Sequence, residues 1–178
     1  VVFRGGNVRD EDGYLAVFSE QGTSASNMAA AKFLDAISRM DGNGGEDSDA
    51  TGAYCQALLG GTETWIRIPR DRWPKAWHGK FDKPVCKLRL SLYGHPVAGL
   101  YWQQHCEAMI LKCGFTKVIG WECLYRHDKD KLFLSVYVDD FKMAGSNLTR
   151  AAMWAKLGKL IRMEPPEPID CLLYTSDA

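Results

Sequence analysis

The stretch from residue 132 to residue 144 constrains the fold of this chain more than any other. The apolar run LFLSVYV leads into two adjacent carboxylates, Asp139 and Asp140, and a second short apolar run, FKMA, begins directly after them. β-Branched and aromatic residues on both sides of a polar pair predict a β-hairpin with the acids at its tip. Side chains alternate along a strand. One face is therefore expected to hold Leu132, Leu134, Val136 and Val138, and the other Phe133, Ser135 and Tyr137.

The adjacent acids predict a cation site. Two neighbouring carboxylates repel each other unless a cation neutralises them, and hard divalent ions such as Mg²⁺ prefer carboxylate oxygen. The alternative is plain turn chemistry, because aspartate tolerates tight turns well.

Composition describes an ordinary globular protein of 178 residues, with 46% hydrophobic and 25% charged residues. No apolar run approaches the roughly 18 residues that span a membrane. The net charge is zero, yet residues 1–65 carry 4 basic and 10 acidic side chains, whereas residues 66–90 carry 8 and 2. Aromatic residues interleave this basic segment, which predicts contact with a phosphate backbone; a solvated charged loop is the alternative.

The six cysteines contain no C-x-x-C pair and no paired-ligand spacing, so a zinc site is not expected. Reduced, mostly buried thiols in an intracellular protein fit better.

Periodicity and turn signals predict strands and helices in mixed order. Strands are expected at residues 1–3, 64–69, 85–92 and 118–127, besides the hairpin. Helices are expected after an N-cap within residues 23–26, ending in the glycine run 42–45, and over residues 97–113 and 149–163. The first helix should bury Ala30, Phe33, Leu34 and Ile37, with Met28 and Met40 extending that face; the second Trp102, Cys106, Met109, Ile110 and Cys113; the third Met153, Leu157, Leu160 and Ile161. This order predicts an α+β fold with the helices on one face of an antiparallel sheet.

Four motifs follow one another along the chain in an order that is informative. DATGAY at residues 49–54 has an alanine at the fourth position after its aspartate and an aromatic at the fifth. TETWIRIP at 62–69, SLYGHPVAGLYW at 91–102 and YVDD at 137–140 follow, and FRGGN at 3–7 precedes them. Together they resemble the reverse transcriptase region of a copia-type LTR retrotransposon Pol polyprotein, whose middle motif reads S-L-Y-G-L-K-Q-A-P-R-A-W. The glutamine of that motif is Val97 here, and the proline after it is Gly99.

The resemblance implies a right-hand polymerase fold, with a palm and partial fingers at residues 1–169. It implies two Mg²⁺ ions, or Mn²⁺ as the alternative, held by Asp49 and Asp139 with help from Asp140 and the carbonyl of Ala50. The nucleotide would lie against Tyr54, Ala53 and Tyr137. Template and primer would contact Tyr93, Gly94, Val97, Arg67, Arg70 and Arg72.

The same resemblance implies the protein's setting. We expect an RNA or DNA template with a primer, deoxynucleoside triphosphates, an integrase domain upstream and a ribonuclease H domain downstream, and no membrane. The location would be intracellular, in a cytoplasmic virus-like particle and in the nucleus. We expect residues 170–178 to be a non-native, adapter-like tail, and the fragment alone to be inactive because cationic fingers residues and the thumb would lie outside it.

Two alternatives stay open. A decayed element would keep the fold as a nucleic-acid binder without catalysis, which Val97 and the polar residues before Asp49 favour. Another palm-like two-metal enzyme, such as a nucleotide cyclase, would use a similar hairpin without needing a primer and template.

Overall fold

The structure, a computed structural model, describes residues 4–18 and 25–169. The strand expected at residues 1–3, part of the expected helix cap at 23–26 and the tail at 170–178 lie outside these ranges. No helix in the described ranges is long and apolar enough to cross a membrane.

One antiparallel sheet of six strands forms the centre of the protein, in the spatial order β4-β5-β6-β7-β1-β8. Its strands are β1 (Asn43–Asp49), β4 (Thr116–Lys117), β5 (Leu124–His127), β6 (Leu132–Tyr137), β7 (Asp140–Ser146) and β8 (Glu167–Pro168). A separate two-stranded sheet pairs β2 (Trp65–Arg67) with β3 (Val85–Lys87). The helices are α1 (Met28–Ser38), α2 (Ala98–Lys112) and α3 (Arg150–Leu157).

The predicted hairpin is confirmed as the β6–β7 pair, two central strands of the sheet. The alternation along β6 is confirmed as well. Leu132, Leu134 and Val136 are buried in one apolar cluster with Phe141 and Met143 of β7. Val138 lies in the turn between the strands, where it lines a cavity together with Val136 and Trp102.

Helices cover both faces of the sheet, so the expectation that they share one face is wrong. Residues of α2 and α3 belong to the cluster that contains Leu134 and Val136. Ala30 and Leu34 of α1 instead pack with Ala144 and, beside it, Phe133 on the opposite face. The sequence shows only that each helix has an apolar side, and the alternating strands offer an apolar residue to both.

The α1 helix is capped one residue later than the expected range. Asn27 is the N-cap, and its side chain accepts a hydrogen bond from the Ala30 amide at 2.9 Å. Ala30 and Leu34 are buried as predicted, with Phe33 and Ile37 packed beside them. Met28 and Met40 were expected on the same face, but they are 72% and 57% exposed. Met28 is the first residue of the helix, and Met40 lies two residues after its end.

The largest correction concerns the glycine run, which forms the start of β1 rather than a loop. Gly44 and Gly45 lie in the sheet between β7 and β8. A Cβ on Gly44 would lie 2.8 Å from the Arg150 guanidinium, and one on Gly45 would lie 2.5 Å from Ile169. Side chains from distant parts of the chain occupy this space, so any larger residue here would displace them.

The α2 helix follows its prediction closely, but other elements are shorter than expected. Its face of Trp102, Cys106, Ile110 and Cys113 is buried, with Met109 packed against it. The α3 helix ends at Leu157, where the chain turns, so Ile161 is buried but Leu160 is 40% exposed. β2, β3 and β5 occupy only parts of the strands expected at 64–69, 85–92 and 118–127.

Candidate active site

The pairing of β1 with β7 brings two of the predicted acids together. Asp49, the last residue of β1, lies directly opposite Asp140, the first residue of β7, and Tyr137 lies opposite Asp140 on the other side. Directly paired residues of an antiparallel sheet point to the same face with Cβ atoms about 4.5–5.5 Å apart. Tyr137, Asp140 and Asp49 therefore form one row across three strands, which we call the acidic row.

The acidic row lies on the face that α1 covers, but beyond the part that the helix reaches. One row further into the sheet, the Lys142 ammonium pairs with the Asp35 carboxylate of α1 at 2.9 Å. Asp49 and Asp140 are exposed, and Tyr137 is 55% exposed. The acids are thus held by rigid strands and remain open to solvent.

Asp139 occupies a strained two-residue turn between β6 and β7. Val138, the first residue of the turn, has φ of +58°. Among described non-glycine residues only Cys123, Lys131 and Val138 have positive φ, so the signs match a type II′ turn, which favours glycine at this position. A β-branched residue in this region is a genuine outlier and costs about 1–3 kcal/mol.

Two hydrogen bonds from outside the hairpin hold this turn. The Trp102 indole Nε1–H of α2 donates to the Val138 carbonyl oxygen at 2.6 Å. The Ala50 amide donates to the Asp139 carbonyl oxygen at 2.8 Å. Ala50 is buried and also bridges to Met163, so the residue after Asp49 is fixed on both sides.

The carboxylates of the cluster interact strongly. The pKa of Asp140 is raised to about 6 by partial burial of its carboxyl group, by the charge of Asp49 and a hydrogen bond to it, and by the charges of Asp139 and Asp47. A hydrogen bond between two carboxyl groups requires a proton on one of them, so Asp140 makes this bond while it is protonated and repels Asp49 once it is ionised. The sequence predicted the main partnership between Asp49 and Asp139, whereas the side chain that bonds to Asp49 is that of Asp140.

Two tyrosines flank the turn near Asp139. Tyr54, in the 3₁₀ turn Ala53–Gln56, meets Tyr93 edge to face with ring centroids 4.4 Å apart. Burial, and then the charge of Asp139 and a hydrogen bond to its carboxylate, raise the pKa of Tyr93. The pKa of Tyr54 is raised by burial and by its neighbours Tyr93 and Asp139. Ala53 is buried beneath this pair and belongs to the core.

The remaining predicted site residues lie in other elements of the fold. Gly94 forms a turn with φ of +90°, and Val97 is the N-cap of α2. Arg67 is the last residue of β2, in the small sheet. Arg70 lies over the Trp73 ring at 5.8 Å, and Arg72 pairs with Asp71 at 3.3 Å. The contacts recorded for Arg70 and Arg72 are therefore local.

The cluster offers oxygen ligands of the kind that Mg²⁺ prefers, namely the carboxylates of Asp49, Asp139 and Asp140 and the backbone of Ala50. Across residues 4–18 and 25–169, no group of three or more His, Cys, Asp or Glu side chains stands ready to hold a metal ion. The crowding of Asp140 against Asp49 still fits a divalent cation, because a bound cation would attract both carboxylates and so relieve their repulsion.

Sequence reasoning assigned Trp102 only to the helix core and missed its contact with the turn. A signal was present, since an indole N–H usually finds a partner when it is buried. The contact of Tyr93 with Asp139 was also missed, because the pattern assigned Tyr93 to the template. In both cases the partner is remote in sequence, and only the folded chain brings the pair together.

The chain matches no protein-family model, no curated protein and no solved structure.

Proposed function

We propose that this chain is the palm and partial fingers of a reverse transcriptase from a copia-type retrotransposon. Its reaction is the templated transfer of a nucleotide from a deoxynucleoside triphosphate to a primer 3′-hydroxyl. The main support is the acidic row, in which the Asp49 of the DATGAY motif lies opposite the Asp140 of the YVDD motif. Two motifs chosen for their order in the sequence thus meet at one edge of the sheet.

The carboxylates of Asp49, Asp139 and Asp140 and the carbonyl of Ala50 are the groups that would hold two Mg²⁺ or Mn²⁺ ions. When bound, such ions supply charge stabilisation to the transferring phosphoryl group and lower the pKa of the primer hydroxyl. The chain contributes rigidity to this site. Strands fix Asp49 and Asp140, and hydrogen bonds to two successive carbonyls fix the turn that carries Asp139.

The aromatic side chains near the acids suit nucleotide selection. Tyr54 is held by Tyr93 and by the core around Ala53, so its ring can exclude a 2′-hydroxyl from the incoming sugar. Tyr137 lies beside Asp140 in the acidic row and is exposed, which suits contact with the nucleotide or the primer end. Gly94 and Val97 follow Tyr93 and would meet the template side.

The basic segment at residues 66–90 supports a nucleic-acid partner. Within the described ranges, Arg72 and Lys87 pair with carboxylates, of Asp71 and Glu63. The cations with no carboxylate partner there are Arg67, Arg70, Lys75, Lys80, Lys83 and Arg89. Trp65 and Phe81 beside them are 55% and 48% exposed. Unpaired cations with exposed rings suit a phosphate backbone and stacked bases.

The wider setting follows from the same proposal. The template is RNA or DNA, integrase and ribonuclease H would flank this region in the parent polyprotein, and the site of action would be an intracellular particle and the nucleus.

Primer extension by a chain lengthened at both ends tests the proposal. Asp139→Asn should lower the extension rate on the order of a thousandfold while primer–template binding stays nearly intact, because the lost charge acts on the transition state. Near wild-type extension by that variant would refute the assignment of Asp139. The 178 residues alone should not extend a primer, because positioning supplies a large share of phosphoryl-transfer catalysis and needs fingers and thumb.

Val97, which stands where the family has glutamine, favours a second candidate function: a decayed copy that binds nucleic acid without catalysis. Such a protein would retain salt-sensitive binding through the basic segment. Its lengthened chain would show no extension that depends on a divalent cation. A nucleotide cyclase would differ from both, since it would react without primer or template.

A further inference from the structure

The conformation of Val138 needs an explanation from outside the hairpin. A type II′ turn is easiest with glycine at its first central position, and this sequence has a β-branched residue there. Neither Val138 nor Asp139 favours the turn strongly on its own, so contacts with the rest of the protein must hold it.

Trp102 provides one such contact and is itself fixed in place. Its indole is 2% exposed and packs in the core cluster with Cys106 and Val136. An indole has a single donor and no acceptor, and the Nε1–H of Trp102 is directed at the Val138 carbonyl at 2.6 Å. The donor therefore comes from a packed helix that cannot readily follow a displaced turn.

The Ala50 amide provides the second contact, to the next carbonyl of the turn. Its 2.8 Å hydrogen bond to Asp139 joins the hairpin tip to the residue after Asp49. If Val138 relaxed to negative φ, the two successive peptide groups that carry these carbonyls would be reoriented. The distance between Asp139 and the acidic row would then change.

We propose that Trp102 is a positioning residue: its indole hydrogen bond to the Val138 carbonyl holds the acidic turn in place and so strengthens divalent-cation binding by Asp49, Asp139 and Asp140. This inference rests on the proposed function, because it takes the acids to be a cation site. It gives a role to the last residue of the motif at 91–102, which otherwise serves only as core.

Trp154 is a matched control for Trp102. It is also buried, at 5% exposure, and belongs to the same core cluster. Its Nε1 atom, however, has no hydrogen-bond partner among the described residues. Substituting phenylalanine for either tryptophan removes a similar amount of buried ring, but only Trp102→Phe removes a hydrogen bond to the turn.

The main experiment measures Mn²⁺ affinity of the 178-residue protein by electron paramagnetic resonance. Trp102→Phe should weaken binding about tenfold, the factor that a lost hydrogen bond contributes to an equilibrium. Trp154→Phe should change it less than about twofold. The double variant Trp102→Phe with Val138→Gly should recover most of the affinity, because glycine adopts positive φ without strain.

Hydrogen exchange gives a readout that needs no metal. Exchange of the Ala50 amide should be faster in Trp102→Phe than in the wild type, and unchanged in Trp154→Phe. In the wild-type protein, the Trp102 indole proton should be protected, and Mg²⁺ should protect it further, because coupling between two events is reciprocal. This last measurement needs no variant, so the inference stays testable even if Trp102→Phe does not fold.

The outcomes separate the inference from the proposed function. Equal Mn²⁺ affinity in the wild type and Trp102→Phe would overturn the positioning role while leaving the cation site in place. Equal weakening by Trp102→Phe and Trp154→Phe would also overturn it, because general loosening of the core would then suffice. Failure of the wild-type protein to bind Mn²⁺ would overturn the proposed function. A Trp102 indole proton that is not protected from exchange would refute the hydrogen bond to the turn, whatever the Mn²⁺ result.

Discussion

Replacing Asp140 by asparagine should stabilise this protein at neutral pH in the absence of divalent cations. The folded chain holds the Asp140 carboxylate against Asp49, and the pKa of Asp140 is raised from 3.8 to about 6. A folded-state pKa above the unfolded value means that the folded protein binds the proton more tightly. The ionised carboxylate therefore destabilises the fold above pH 6, and this cost disappears as the pH falls from 6 to 4.

The shift sets the size of the effect. Two pKa units correspond to about 3 kcal/mol at most. Asp140 is exposed, so solvent screens much of the repulsion, and we expect about 1 kcal/mol in practice. The amide of the variant can also donate a hydrogen bond to Asp49, which replaces the bond that now needs a proton. For a chain of this length, the expected gain in Tm is about 2–4 °C.

Urea denaturation in EDTA measures this difference, with Asp12→Asn, at an exposed aspartate in the N-terminal turn, as the control. The gain from Asp140→Asn should be full at pH 7.5 and largely lost at pH 4, because the wild-type group is then protonated in the folded state and close to half protonated in the unfolded state. Addition of Mg²⁺ should stabilise the wild type more than the variant. Destabilisation by Asp140→Asn at pH 7.5, or a gain that persists at pH 4, would show that the two carboxylates are not crowded together.

Three further predictions concern selection and stability. In a polymerase lengthened at both ends, Tyr54→Val should raise ribonucleotide incorporation relative to deoxyribonucleotide incorporation, measured with the two nucleotides in competition. Unchanged selectivity would show that Tyr54 serves only as a core aromatic. His95 is buried against Thr64, and burial lowers its pKa, so stability should fall as the pH drops below 6.5. Urea denaturation of His95→Gln should lack that part of the pH dependence, and an identical dependence would refute it. Gly145→Ala should lower the free energy of unfolding by about 3 kcal/mol, because its Cβ would lie 2.2 Å from the Lys131 carbonyl oxygen. Gly120→Ala, whose Cβ would lie in open space, should lower it only by the left-handed strain of about 1 kcal/mol. Equal losses for the two variants in urea denaturation would contradict this reasoning.

The parts of the fold that could be predicted are those whose signal is local. The face of α2 repeats with helical period, and the alternation in β6 needs no partner to be visible. The acids could be placed at a hairpin tip for the same reason. The residue pattern alone did not reveal the strand β1, because glycines and acids are unusual in a strand and the Arg150 and Ile169 side chains that lie beside Gly44 and Gly45 are remote in sequence. Which face each helix covers was likewise decided by packing.

The sequence was sufficient to select the acids of the candidate site, but not to show which of them pair across the strands. Motif spacing selected Asp49, Asp139 and Asp140 together, and in the fold the charges of Asp49 and Asp139 act on Asp140. It could not show that Asp140, rather than Asp139, pairs with Asp49, because a shift of one residue in β7 would exchange them. The roles of Trp102 and Tyr93 near the turn depend on contacts between elements that are far apart in sequence.

Backbone strain at Val138 and the crowding of Asp49 and Asp140 distinguish this cluster from aspartates in an ordinary turn. Aspartates in a simple turn would relax apart, and glycine or asparagine would serve better than Val138 at positive φ. Here the strands hold Asp49 opposite Asp140, and Trp102 and Ala50 hold the turn in a conformation that valine disfavours. Strain and like-charge crowding at one place persist only where the surrounding structure enforces them, and they concentrate at functional sites. A bound divalent cation would turn the crowding of the carboxylates from a cost into an attraction, and for this reason we propose this end of the hairpin as the place of the chemistry.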